Sequence, residues 1–261
     1  MLEQILFGIT QGIAEWLPVS SEGVMLLIKT HIFGASQAIG DTLRYMLFLH
    51  LGTFLAALIY FRKDVKQLLI VLFHFSKSNQ ENQKILQFLI STTVISGLLG
   101  LVFLHYLDNA TAIPGKIATL IVGWLLIATG LLQIASKQGG KRSPHDITQR
   151  DRVILGLAQG FAVLPGLSRS GLTVASLLLL GFDKVQAIRL SFLMSLPIVL
   201  FANIILNVKD FNPHNASFLG LIFSFIFGLA TIHLFIKIAQ KINFGYFVAI
   251  FGLLTILSAL I

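Results

Sequence analysis

The stretch Phe7-Gly8-Ile9-Thr10-Gln11-Gly12-Ile13-Ala14-Glu15-Trp16-Leu17-Pro18-Val19-Ser20-Ser21-Glu22-Gly23 decides the fold. It lies inside an apolar segment, Leu2 to Phe33, that Pro18 and the serine pair break in two. Neither part reaches the ~20 residues needed to cross the hydrocarbon layer. The break recurs later in the chain. Leu155-Gly156-Leu157-Ala158-Gln159-Gly160-Phe161-Ala162 parallels Phe7 to Ala14, and Leu164-Pro165 pairs with Leu17-Pro18 after one gap. The second apolar pieces are Val153 to Leu164 and Gly171 to Phe182. Non-helical backbone at membrane depth is tolerated only where it is buried in protein or lines a wet cavity, because lipid satisfies no N–H or C=O. Two such turns predict two re-entrant helix pairs around an internal polar site. A signal peptide is argued against by Gln11, Glu15 and the lack of Lys or Arg ahead of the apolar run.

The rest of the chain agrees. Of 261 residues, 56% are hydrophobic and only 11% charged, where soluble domains carry about 25% charged residues. That excludes a soluble domain, a coiled coil and a disordered chain. The absence of Cys removes disulfides, thiolate metal sites and a thiol nucleophile. Six further uncharged stretches read as transmembrane helices: Tyr45 to Phe61, Ile85 to Leu107, Ile117 to Ser136, Leu190 to Val208, Phe211 to Ile236 and Ile242 to Ile261. The expected fold is all-α, a polytopic membrane protein of six transmembrane helices plus two re-entrant helix pairs. It forms a single integral membrane domain over residues 1–261. Each broken segment is followed by three spans, an odd number, so the halves, about 1–145 and 146–261, are inverted repeats of the kind that places a site near the midplane.

The formal charge of +8 sits in short clusters between apolar runs, which reads as topology and not as a nucleic-acid surface. The 62–84 and 136–152 loops carry five Lys/Arg each, and Lys237 and Lys241 add to a third loop on the same side. The opposite loops carry little beyond Lys116 and Lys209. The positive-inside rule therefore puts the rich side in the cytoplasm and the termini, with Ile261, outside. Residues 64–84 read as an amphipathic cytoplasmic helix with a polar loop.

The chemistry sits in the two turns. Gln11 and Glu15 are four apart and share a helix face, and Glu22 follows the turn. Ionisable groups inside membrane segments mark functional sites. In Pro165-Gly166-Leu167-Ser168-Arg169-Ser170-Gly171-Leu172-Thr173, glycines permit a tight turn, hydroxyls and free helix N–H groups donate, and Arg169 offers a planar fork that matches phosphate oxygens. This is an anion cradle, or else a cation tying Glu15 or Glu22 across the repeats. His50, in the middle of the first span, is a candidate base or a packing residue. His31, His105, His214 and His233 lie near span ends. Arg44 and Arg189 extend the anionic site or anchor the interface.

Glu15-Trp16-Leu17-Pro18-Val19-Ser20-Ser21, Pro165-Gly166-Leu167-Ser168-Arg169-Ser170-Gly171 and Ser191-Phe192-Leu193-Met194-Ser195-Leu196-Pro197 resemble the motifs of the bacterial undecaprenyl-diphosphate phosphatases of the bacitracin-resistance type. The resemblance covers essentially the whole chain. It implies a multi-pass enzyme of the cytoplasmic membrane, its active site facing outside, that converts a polyprenyl diphosphate to the monophosphate and so recycles the lipid carrier of cell-wall synthesis. In two places the chain departs from the family pattern. Gln11 stands where the family has Glu, and Val24 where its serine pair is followed three residues later by His. Glu22 adds a carboxylate.

On this reading Arg169, with Ser168, Ser170 and Thr173, holds the diphosphate. Ser21 is the nucleophile or positions an activated water, and Glu15, helped by Glu22, acts as base or holds a divalent ion such as Mg²⁺ or Ca²⁺. Gln11 and Ser20 complete the substrate contacts. The partners are the lipid substrate and the membrane, with a second copy of the chain as a candidate, and no organic cofactor or nucleic acid is expected. The rival reading is a lipid-phosphate transporter or flippase that uses the same cradle without hydrolysis.

Overall fold

A computed structural model of the protein describes residues 1–34, 39–109, 115–136, 139–207 and 218–260. Lys209, His214 and Ile261, singled out above, lie outside the described residues. Helices dominate, and no β-strand is found among the described residues.

Both broken segments are helix–turn–helix units. In the first, α1 (Leu2–Ala14) ends before Pro18 and α2 (Ser21–Ile28) restarts behind Ser20, whose side chain accepts from the Gly23 N–H at 3.0 Å. Later helices are α3 (Ile39–Tyr60), α4 (Arg62–Phe73), α5 (Gln80–Asn109) and α6 (Gly115–Ala135). The second unit pairs α7 (Gln149–Phe161) with α8 (Arg169–Leu179), and Ser168 caps α8 by accepting from Gly171 N–H at 3.1 Å. Hydroxyl caps at the same relative place let both helices begin inside the protein with a donor satisfied. The chain closes with α9 (Lys184–Asn207), α10 (Phe218–Lys241) and α11 (Gly245–Leu260).

Each of the six stretches read as a span contains a helix. Four of them, α5, α6, α9 and α10, are long and apolar enough to cross a membrane on their own. The helix ending at Tyr60 adds a fifth when taken with α4, which bends away by 86° at Phe61. At 16 residues α11 is apolar but shorter. Ile90, Val94, Trp124, Ile226 and Leu254 are exposed, as expected of lipid-facing positions. The chain is a multi-pass helical membrane protein.

Packing follows the internal repeat. The first helix of each half lies along the middle span of the other half, α1 on α10 and α7 on α5, while α3 meets α9 and α6 meets α11. The repeated glycines make the first two contacts close. A Cβ at Gly8 would lie 2.2 Å from the Gly220 carbonyl oxygen, and one at Gly12 would lie 2.8 Å from the Gly228 nitrogen. Their repeat partners Gly156 and Gly160 press on Ile95 and Leu99 of α5. Small residues drive helix association in membranes by admitting such approach. Gly8→Val therefore forces α1 off α10, and overpacking of this kind costs about 1–3 kcal/mol. A lower melting temperature in detergent and less monodisperse protein are the expected results.

The basic loops are structural as well. Arg142 forks onto Asp151 (2.6 and 3.3 Å), donates to the Leu180 carbonyl at 2.7 Å and covers the Phe182 ring at 4.4 Å. It clamps the entry of α7 to the exit of α8. Arg189 pairs with Asp64 in the first turn of α4, so it anchors α4 to α9 and does not extend the anionic site.

Candidate active site

The two turns meet back to back. The Ser20 hydroxyl oxygen, besides capping α2, accepts from the Gly166 N–H of the opposite turn at 3.0 Å. In return the Ser170 hydroxyl donates to the Leu17 carbonyl at 3.0 Å. From α6, Gln133 donates to the Pro18 carbonyl at 2.7 Å and Thr129 to the Gly166 carbonyl at 3.3 Å. Backbone groups freed by the breaks thus find partners within the protein, as membrane depth requires. Gly166 has φ +101, and a Cβ there would lie 2.7 Å from the Val122 carbonyl oxygen. Only glycine fits both restrictions.

Four charged groups from four helices converge beside this junction. Glu15, at the end of α1, is 7% exposed. One of its oxygens accepts from the Arg169 guanidinium, and the other accepts from Gln11 Nε2 at 2.9 Å and faces His50 Nε2 at 3.3 Å. The same His50 nitrogen lies 3.1 Å from Glu22 Oε1, and His50 Nδ1 lies 2.8 Å from the Met46 carbonyl oxygen. Two carboxyls and a carbonyl face the ring nitrogens, an arrangement that suits an imidazolium donating from both. In that form His50 has no lone pair to act as base. Two carboxylates are balanced by one imidazolium and one guanidinium.

Ser21 is buried, and its hydroxyl donates to Glu22 Oε2 at 3.3 Å, with Ser20 Oγ 3.5 Å from the same oxygen. The hydroxyls of the expected cradle face protein partners: Ser168 and Ser170 lie 3.3 Å apart, and Thr173 donates to the Arg169 carbonyl at 2.8 Å and contacts Ser191 Oγ at 2.7 Å. Val24, where the family places His, is half-buried on α2. The imidazole arrives from α3 instead.

A cavity opens beside this cluster. Glu22, His50 and Arg169 line its polar end, and Leu101 and Leu104 of α5 with Phe201 and Ile205 of α9 form apolar walls. Gln159, repeat partner of Gln11, also lines it. It donates to Ser96 at 3.0 Å and leaves its buried Oε1 without a partner. The sequence motifs include Gln159 and Ser191 without giving them a site role, and they leave out Ser96 and Gln133; the signal of all four is an uncharged polar residue placed inside an apolar run.

The donor set does not suit a divalent cation at Glu15. Both of its oxygens already face N–H donors, two of them on cations, and no group of three or more His, Asp and Glu is arranged to hold a metal among the described residues. A cation there would sit against like charge.

The family described as bacitracin resistance protein BacA matches residues 4–257. An undecaprenyl-diphosphatase of Methanococcoides burtonii is 42% identical over 264 residues, which cover 98% of this chain and 97% of that protein. One from Haloarcula marismortui is 36% identical over 269 residues (100% and 98%), and one from Methanothrix thermoacetophila 37% over 260 residues (98% and 95%). The motifs, the paired re-entrant turns and these matches agree: the chain belongs to the bacitracin resistance protein BacA family.

Proposed function

We propose that the protein is a membrane phosphatase that converts undecaprenyl diphosphate, or a closely similar polyprenyl diphosphate, to the monophosphate and so returns a lipid carrier to use. One observation carries the reading: Arg169 and Glu15, from the two broken helices, meet His50 and Glu22 at the polar end of an apolar cavity. A diphosphate needs cationic donors, a leaving group fixed in place and a base; a prenyl tail needs an apolar wall.

Arg169 turns its fork from Glu15 to the terminal phosphoryl group, matching two oxygens at once. Glu15 keeps Gln11 and His50 as donors, so the exchange strands no carboxylate. Gln11 suits this place better than Glu, since a third carboxylate there would outnumber the cations. Ser20 and Ser168 hold the helix starts, Ser170 and Thr173 hold Arg169's turn, and Ser21 orients Glu22. The tail lies along α5 and α9. The cavity is lined by the C-terminal halves of α5 and α9, which the charge pattern assigns to the outside, so the reaction occurs at the outer face of the cytoplasmic membrane. The two halves act as inverted repeats within one domain.

The transport reading draws support from a second cavity, lined by Trp16, Pro18, Ser170 and Gly171 at the turns and by Lys184 and Ile188 in the opposite half of α9. Purified protein in liposomes containing undecaprenyl diphosphate separates the two: a phosphatase releases inorganic phosphate. Movement of the lipid between leaflets with no phosphate release would favour the transporter.

A further inference from the structure

We propose that Glu22 is the general base of the reaction, taking the proton of a water that attacks the terminal phosphorus, and that His50 positions it. The proposal rests on the phosphatase reading above. Among the described residues that line the cavity, Glu22 is the one carboxylate; its neighbours there, Arg169 and His50, are cationic. Glu15 is set back from the cavity and is occupied on both oxygens by nitrogen donors. Glu22 is held differently. Its Oε1 faces the imidazolium, while among the described residues Oε2 faces two hydroxyls, at 3.3 and 3.5 Å. Those contacts are long for O–H···O bonds, so Oε2 keeps acceptor capacity on the side nearest the serines. The His50 ring sits between the two carboxyls, 3.1 Å from Glu22 and 3.3 Å from Glu15, and so fixes where Glu22 points.

Ser21 is 3% exposed and is not among the residues lining the cavity, while its hydroxyl donates to Glu22. In this proposal Ser21 aims the base, and a water in the cavity is the attacking group. In the step, a water oxygen forms the new bond to the terminal phosphorus as its proton passes to Glu22 Oε2. The bond from that phosphorus to the bridging oxygen breaks, and its electron pair stays on the lipid monophosphate. That dianion needs no proton to leave, since a phosphate monoester has its second ionisation near pH ~6. The proton on Glu22 then passes to the departing inorganic phosphate, which restores the carboxylate.

The test uses full-length protein in detergent with undecaprenyl diphosphate. Glu22→Gln, which keeps shape and hydrogen-bonding length, should lower kcat by ~10²-fold or more with KM within about threefold, as loss of a general base predicts. Glu22→Ala should recover part of the lost rate on addition of formate, a response that a purely structural role would not give. Ser21→Ala should lose only about tenfold, and acid quenching of the parent should trap no phosphoserine. Parental kcat in Glu22→Gln, or phosphate trapped on Ser21, overturns the proposal while leaving the phosphatase reading intact. A parent that binds the lipid and releases no phosphate overturns both.

Discussion

Arg169→Lys lowers turnover of undecaprenyl diphosphate by about 10²- to 10³-fold even though the charge is kept. The reason is geometric. Lysine is a point charge on a flexible stem, whereas guanidinium is a planar fork that engages two oxygens at once. Arg169 follows the cap Ser168 on a turn stitched to its neighbour through Gly166–Ser20 and Ser170–Leu17, so its fork starts from a fixed place. An ammonium pairs with Glu15 well enough to hold the two halves together but loses the second contact to the moving phosphoryl group. The variant should therefore fold and bind lipid while kcat collapses. Turnover within about twofold of the parent would reduce Arg169 to a tie between repeats.

His50→Gln is the second large effect, and it falls on stability and activity together. Glu15 and Glu22 are both within 3.3 Å of the one imidazole nitrogen. Removing that cation leaves a buried carboxylate uncompensated, a loss worth about 3–5 kcal/mol. The melting temperature in detergent should fall, and phosphate release with it, by roughly 10²-fold or more as the base loses its positioning partner. The double variant His50→Gln/Glu22→Gln removes one negative charge as well, so its melting temperature should return toward that of the parent while hydrolysis stays lost. A melting temperature that stays as low in the double variant as in His50→Gln would mean that His50 serves packing alone.

The split between stability and activity in that pair depends on contacts that sequence shows only in part. The broken helices were legible because Pro18 and Pro165 interrupt apolar runs too short to span, and because Ser20 and Ser168 are natural caps. Pairing of Glu15 with Arg169 was also legible, since lone charges in apolar helices need opposite partners. The role of His50 was not: it lies 35 residues beyond Glu15 in sequence, and only the rotation of α3 against α1 and α2 brings its ring between two carboxylates. Thr173 looked like a phosphate donor, yet its hydroxyl is engaged by Ser191 from α9, a contact between helices that no local pattern encodes. Helix starts were misjudged for a similar reason. Hydropathy begins the α5 span at Ile85, but the helix starts at Gln80, where Gln80 and Lys84 reach the 144–146 turn through His145. Polar turns that continue a helix into the interface carry no apolar signal.

On this mechanism the four-charge cluster cleaves a lipid diphosphate at its terminal phosphorus. The most direct measurement is a single turnover of undecaprenyl diphosphate by the purified protein in ¹⁸O-labelled water, with both products weighed by mass spectrometry. Cleavage at the terminal phosphorus puts one ¹⁸O in the released inorganic phosphate and none in undecaprenyl monophosphate. Label in the lipid monophosphate, or a bound lipid that yields no phosphate, would contradict it.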